Sequence, residues 1–182
     1  MGIEPGTYDI GPEAGRLLIK TTRAGLGAKA GHDLTLEPAR WRGRAVVADP
    51  AGSSVTVEVD VASIEVKEGS GGIKPLSDSD RADIVRNLRE KVLNAREHPT
   101  ITFRSSRVDG TLESFHVEGD LTIAGATHTV TIDGRAAGDR VRGSTTVVQS
   151  RWGIRPYSAL FGALKLSDEV GVEFDIALTT RA

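Results

Sequence analysis

The chain has 182 residues, 23 basic and 25 acidic, for a formal net charge of −2. Neither sign gathers into a tail, so the sequence carries no electrostatic footprint for DNA or RNA, and nucleic acid is excluded as an expected partner. Cysteine is absent, which removes disulfides, thiolate metal sites and a cysteine nucleophile together.

The length suits a single domain over residues 1–182. Aromatic residues make up only 4 %, so a β-rich interior must be filled by Val, Leu and Ile or left partly unfilled. The first twenty residues show no basic region followed by an apolar one, and apolar runs fall far short of the roughly 20 residues that span a bilayer. The expectation is a soluble, cytoplasmic protein with no stable membrane insertion.

In chain order, Thr7 to Ile10 and Arg16 to Thr22 read as strands separated by Gly11-Pro12. In the second, Leu17 and Ile19 oppose Leu18 and Lys20, so its inward face is ambiguous. Ala24 to Gly31 is small and glycine-rich and suits a tight turn. Trp41 to Ala48 and Ser54 to Val61 follow as strands, joined by Asp49-Pro50-Ala51-Gly52. Val55, Val57, Val59 and Val61 alternate with Thr56, Glu58 and Asp60, the pattern of a half-buried strand. Ser63 to Val66 reads as a short strand and Lys67 to Gly72 as a flexible polar segment.

Ser77 to Asp80 offers a capping box, and Ser79 to Asn94 carries the helical period. Ile84, Leu88 and Val92 form its apolar stripe, with Val85 beside them. His98 to Gly134 holds three alternating runs: Ile101 and Phe103 share a side, as do Val117, Leu121 and Ile123, and then Val130 and Ile132. Asp109-Gly110 and Ala124-Gly125 separate the runs as hairpin turns. Arg140 to Ser150 and Glu169 to Thr180 are further strands, with Phe174 and Ile176 on one side of the last. Trp152 to Leu164 does not alternate and reads as a loop or short helical turn.

Some eight strands with short links and no βαβ alternation predict a mainly all-β protein, an antiparallel sheet closed into a barrel with one amphipathic helix near its rim. A barrel of that size either fills its bore or holds one small ligand.

The succession His98-Pro99-Thr100-Ile101-Thr102-Phe103-Arg104-Ser105, Gly119-Asp120-Leu121-Thr122-Ile123-Ala124-Gly125 and Thr129-Val130 resembles the YceI-like, polyisoprenoid-binding family. Gly6-Thr7-Tyr8-Asp9-Ile10, Ser53-Ser54-Val55 and Arg151-Trp152-Gly153-Ile154 extend the resemblance over nearly the whole chain. It implies a lipocalin-like barrel whose interior accepts a long prenyl chain, as of an isoprenoid quinone. Where many members carry a His-Ser pair at the start of the second strand, this chain has Glu13-Ala14-Gly15-Arg16. Where many carry a basic-acidic-His cluster before the helix, it has Asp80-Arg81-Ala82-Asp83.

The candidate ligand-binding residues are Val57, Val59, Phe103, Leu121, Ile123, Phe174 and Ile176 on the strands and Leu88 on the helix. Phe161 and Leu164 could close one end; Trp152, Tyr157 and Phe161 could form a lid touching the ligand, with Arg151 or Arg155 meeting its polar end, or the Trp152 to Leu164 segment could simply plug the barrel bottom. Burial is worth about 0.8 kcal/mol per methylene, so an oily bore needs few polar contacts to hold a lipid. The same residues could instead pack against one another as a dry core. His32, beside Asp33, could meet a polar head group or act as a general base, or it could simply cap loop backbone. His98, His116 and His128 show no metal-ligand spacing, so no metal and no cofactor are expected.

The resulting expectation is a non-enzymatic binder or carrier of a long-chain isoprenoid lipid, with a homodimer left open. The rivals are an enzyme acting on such a lipid through His32 and Asp33, and a filled barrel that serves as an interaction module.

Overall fold

A computed structural model describes residues 2–159 and 164–179. The first half contains β1 (Gly6–Ile10), β2 (Gly15–Ala24), β3 (His32–Pro38), β4 (Trp41–Val47), β5 (Ser54–Asp60), β6 (Ile64–Gly71) and the helix α1 (Asp78–Asn87). The second half adds β7 (Thr100–Thr111), β8 (Ser114–Ile123), β9 (Ala126–Ala137), β10 (Arg140–Val148), the two-residue β11 (Ser158–Ala159) and β12 (Leu164–Ala177). All pairings are antiparallel, in the order β1-β4-β5-β7-β8-β9-β10-β12-β2-β3-β6, with β11 on β12.

Twelve strands exceed the expected eight, and backbone kinks explain the excess. β3 runs into β4 across Ala39-Arg40, and β5 into β6 across a 3-10 turn at Val61–Ser63. These two kinked strands form one long hairpin. The Asp60 amide donates to the Arg40 carbonyl and the Ala39 amide to the Ser63 carbonyl, each at 3.0 Å. β1 and β2 make a third such strand, interrupted by the turn in which the Ala14 amide donates to the Gly11 carbonyl. Counted this way, the staves are eight: β1–β2, β3–β4, β5–β6, β7, β8, β9, β10 and β12.

The circuit closes through these kinks. β3 pairs with β2 on one side, its continuation β4 pairs with β5, and β5 pairs with β7. The ladder path itself still ends at β1 and β6, so two strand edges remain. α1 covers the β6 edge: Arg81 Nη1 donates to the carbonyls of Val66 (3.2 Å) and Lys67 (3.4 Å), and Arg89 Nη2 to that of Ile64 (3.1 Å).

α1 starts where the capping box predicts. The Ser77 hydroxyl accepts from the Asp80 amide, and the Asp80 carboxylate accepts from the Ser77 amide. The hydrogen bond from the Ser77 amide, the largest effect, holds the Asp80 carboxyl below its ordinary value, and the Ser77 hydroxyl and nearby Lys74 and His32 add to this. The helix passes into a π-turn over Leu88–Val92, where the Leu93 amide reaches the Leu88 carbonyl at 2.9 Å. The extra residue per turn brings Leu88, Val92 and Leu93 together against the barrel interior. No helix among the described residues is long and apolar enough to cross a membrane.

Asp109-Gly110 is not the hairpin turn expected of it: both residues pair within β7, and the chain turns after Thr111. Two other readings need correction and one ambiguity is resolved. His32 begins strand β3 and does not sit in a loop; Leu34 and Leu36 alternate inward from it and are buried. The segment read as flexible is the end of β6, where Gly69, Ser70 and Gly71 pair with Leu34, Asp33 and His32. The ambiguity in β2 resolves with Leu17 and Ile19 inside.

Candidate ligand cavity

Inward residues of all eight staves wall a cavity of about 600 Å³. Its helix end is formed by Leu88, Val92 and Leu93 of the π-turn with Leu36, Ile64, Ile154 and Val170. Its rim at the opposite end is formed by Val46 to Ala48, Ser53 and Ser54 of the β4–β5 hairpin and by Asp109 to Leu112 of the β7–β8 hairpin. Between them the wall is almost entirely aliphatic and aromatic. Among the described residues it includes no Lys, Arg or His, and its one carboxylate, Asp109 on the rim, pairs with Arg107 at 2.8 Å.

Glycines explain why the bore stays open. Gly119, Gly134 and Gly143 all occupy inward positions, and each lies beneath a phenylalanine ring of a neighbouring strand. A Cβ added at Gly119 would stand 2.6 Å from Phe103 Cζ, and one at Gly143 2.5 Å from Phe174 Cζ. At Gly134 the added atom would run into Cε2 and Cζ of Phe115. The rings therefore lie flat against bare backbone, the arrangement known as aromatic rescue of strand glycines. Their bulk is taken up by the wall.

Of the residues proposed from sequence, Val57, Val59, Leu88, Phe103, Leu121, Ile123, Phe174 and Ile176 all line this cavity. Trp152 does not. It is buried at 3 % exposure, its Nε1 donates to the Leu121 carbonyl at 2.9 Å, and its ring meets His128 edge-on at 5.1 Å. It thus fastens the 3-10 turn Gln149–Trp152 to the outer end of β8. Tyr157 lies outside the wall, 40 % exposed, with its carbonyl accepting from the Leu166 amide. Phe161 lies outside the described residues, as does the side chain of Leu164.

His32 and Asp33 are also off the wall and do not act as a pair. His32 Nε2 bonds the Lys74 carbonyl at 2.8 Å. Asp33 Oδ1 accepts from the Arg23 amide at 2.8 Å. Adjacent strand residues point to opposite faces, which separates them as expected. Trp41, Ile10, Ile132 and Val172 line the wall and were not singled out from sequence. For Ile132 the alternation alone would have placed it there. No group of three or more His, Cys, Asp or Glu side chains among the described residues could hold a metal.

An eight-staved antiparallel barrel with an apolar bore and a helix across one end is a lipocalin-like protein. The chain belongs to the YceI-like domain family, whose model matches residues 15–178. Three solved structures share the fold. Burkholderia cenocepacia BcnA is 18 % identical over 91 % of this chain and 96 % of its own, at a TM-score of 0.67. A polyisoprenoid binding domain from Saccharophagus degradans, implicated in plant cell wall breakdown, is 11 % identical over 95 % and 97 %, at 0.58. The Campylobacter jejuni YCEI protein is 17 % identical over 77 % and 82 %, at 0.55. No curated protein matches the sequence.

Proposed function

We propose that this protein binds and carries a long-chain isoprenoid lipid, such as a polyprenyl quinone, inside the barrel and performs no chemistry on it. The observation that carries this reading is the cavity of about 600 Å³ with an aliphatic and aromatic wall. A void of that size lies in the range of ligand sites, and leaving it empty forfeits packing that a dry core would have.

Two features favour binding over catalysis. The acid-base pair named from sequence, His32 and Asp33, bonds other partners away from the wall, the His116–Asp133 pair lies exposed and off the wall, and the wall itself offers no nucleophile-base pair among the described residues. The polyisoprenoid binding domain named above has the same fold, which is consistent with an isoprenoid in this one.

The test is organic extraction of freshly purified protein followed by mass spectrometry, with uptake of prenyl quinones by delipidated protein measured in parallel. A co-purifying prenyl lipid, or saturable one-to-one uptake, is expected. Recovery of no lipid together with no uptake would refute the carrier reading.

A further inference from the structure

We propose that Thr21 is a specificity determinant that hydrogen-bonds an uncharged oxygen of the lipid, a carbonyl or hydroxyl, at the helix end of the cavity. The inference deepens the carrier reading and rests on it. Thr21 occupies the third inward position of β2 after Leu17 and Ile19, between Leu34 of β3 and Val170 of β12. It is 7 % exposed, and its Oγ1 is one of only two buried side-chain polar atoms without a partner among the described residues. The other, Arg89 Nε, is off the wall and belongs to a guanidinium that already donates to Ile64.

Of the other polar groups of the wall, the hydroxyls of Ser54 and Thr111 belong to exposed rim residues, and the rest have partners of their own. Thr145 donates its hydroxyl to the Thr131 carbonyl at 2.8 Å, and Gln149 Nε2 donates to the Ser167 carbonyl at 3.0 Å. The Ser53 hydroxyl is tied into its own turn through Ala48 and Asp49. Among the described residues, only Thr21 holds a buried hydroxyl with nothing to bond. Valine has the same shape and would fill this position without that penalty, since an unsatisfied buried hydroxyl destabilises the protein that carries it. A ligand oxygen would remove the penalty once Oγ1 turns toward the bore that Thr21 lines. The oxygen must be uncharged because no described wall residue is cationic, and a buried anion without a partner is strongly disfavoured.

The experiment uses the full chain, delipidated, with three variants of occupant: a naphthoquinone bearing a four-unit prenyl tail, the four-unit prenyl hydrocarbon without oxygen, and the four-unit prenyl diphosphate. Affinities are read by displacement of an apolar dye from the cavity. For Thr21→Val we expect about tenfold weaker quinone binding, the loss of one hydrogen bond, with hydrocarbon binding unchanged and the ligand-free melting temperature equal or higher. Thr21→Ser should restore the quinone affinity, and the diphosphate should bind least well to every form. Equal weakening of quinone and hydrocarbon in Thr21→Val, or no change in either, would overturn the assignment while leaving the carrier reading intact. Tighter binding of the diphosphate than of the quinone would refute an uncharged head group. Failure of the unmodified protein to bind quinone and hydrocarbon alike would remove the carrier reading, and this assignment with it.

Discussion

Gly134→Ala is the most direct probe of why the bore is open. Its added Cβ would collide with two carbons of the Phe115 ring, while the nearest backbone atom, the Arg142 carbonyl oxygen, would be 3.1 Å away. The ring is the softer obstacle. Carbon atoms rest about 3.5–4.0 Å apart, so the ring must withdraw by on the order of 1 Å, and the free direction is into the bore, which Phe115 lines near the rim. Overpacking of this kind costs roughly 1–3 kcal/mol, offset in part by about 0.4–1 kcal/mol from the stiffer unfolded chain. We expect a net loss of about 1 kcal/mol in urea denaturation. Prenyl-quinone uptake, followed by quenching of Trp41 on the cavity wall, should slow and weaken severalfold. Adding Phe115→Leu to Gly134→Ala should recover uptake, because the obstructing ring is gone. Unchanged stability and unchanged uptake in the single variant would refute the view that ring-on-glycine packing sets the width of the bore.

Further outcomes are equally specific. Val172→Lys places an ammonium on a wall without a described counter-charge and should abolish quinone uptake, with near-UV circular dichroism confirming a native fold. Trp152→Phe removes the bond from Nε1 to Leu121 and should cost about 1 kcal/mol of stability while leaving uptake intact; a tenfold loss of affinity would place the indole in the site after all. Burial raises the Asp175 carboxyl, but hydrogen bonds from Arg140 and Arg142 outweigh it and hold the group below the ordinary carboxylate value of 3.8. That stabilisation is complete above pH 3.8 and lost as the pH falls through the folded value, so the stability gap between the protein and Asp175→Asn should shrink below that pH. Ser77→Ala should cost about 1 kcal/mol through loss of the helix cap, measured by thermal unfolding.

How much of this was legible in the sequence depended on whether a feature is local. In β5 the valines at 57 and 59 alternate with polar residues, and a period of two names the inward face with no knowledge of neighbours. β6 was misread past Val66 because Gly69-Ser70-Gly71 has no strand propensity of its own; pairing with β3 holds it extended. β3 was missed because His32 follows a glycine-rich stretch and only Leu34 and Leu36 mark the alternation. His32 itself was a reasonable site candidate by residue type, but its ring is turned toward the Lys74 carbonyl, a partner 42 residues away that spacing cannot reveal. The pairing of Phe103, Phe115 and Phe174 with glycines depends on cross-strand register, as does the isolation of the Thr21 hydroxyl. A low aromatic content allowed either a filled or a vacant interior, and only the register decides between them.

Two arginines, one on α1 and one on the π-turn that continues it, give the helix a second duty. Arg81 and Arg89 present guanidinium donors to the outward carbonyls of Ile64, Val66 and Lys67, where an adjoining strand would otherwise supply amides. An unguarded strand border recruits other chains. Removing the helix would therefore bare a template for self-association, so the element that closes one end of the bore also keeps the protein from polymerising along its own seam.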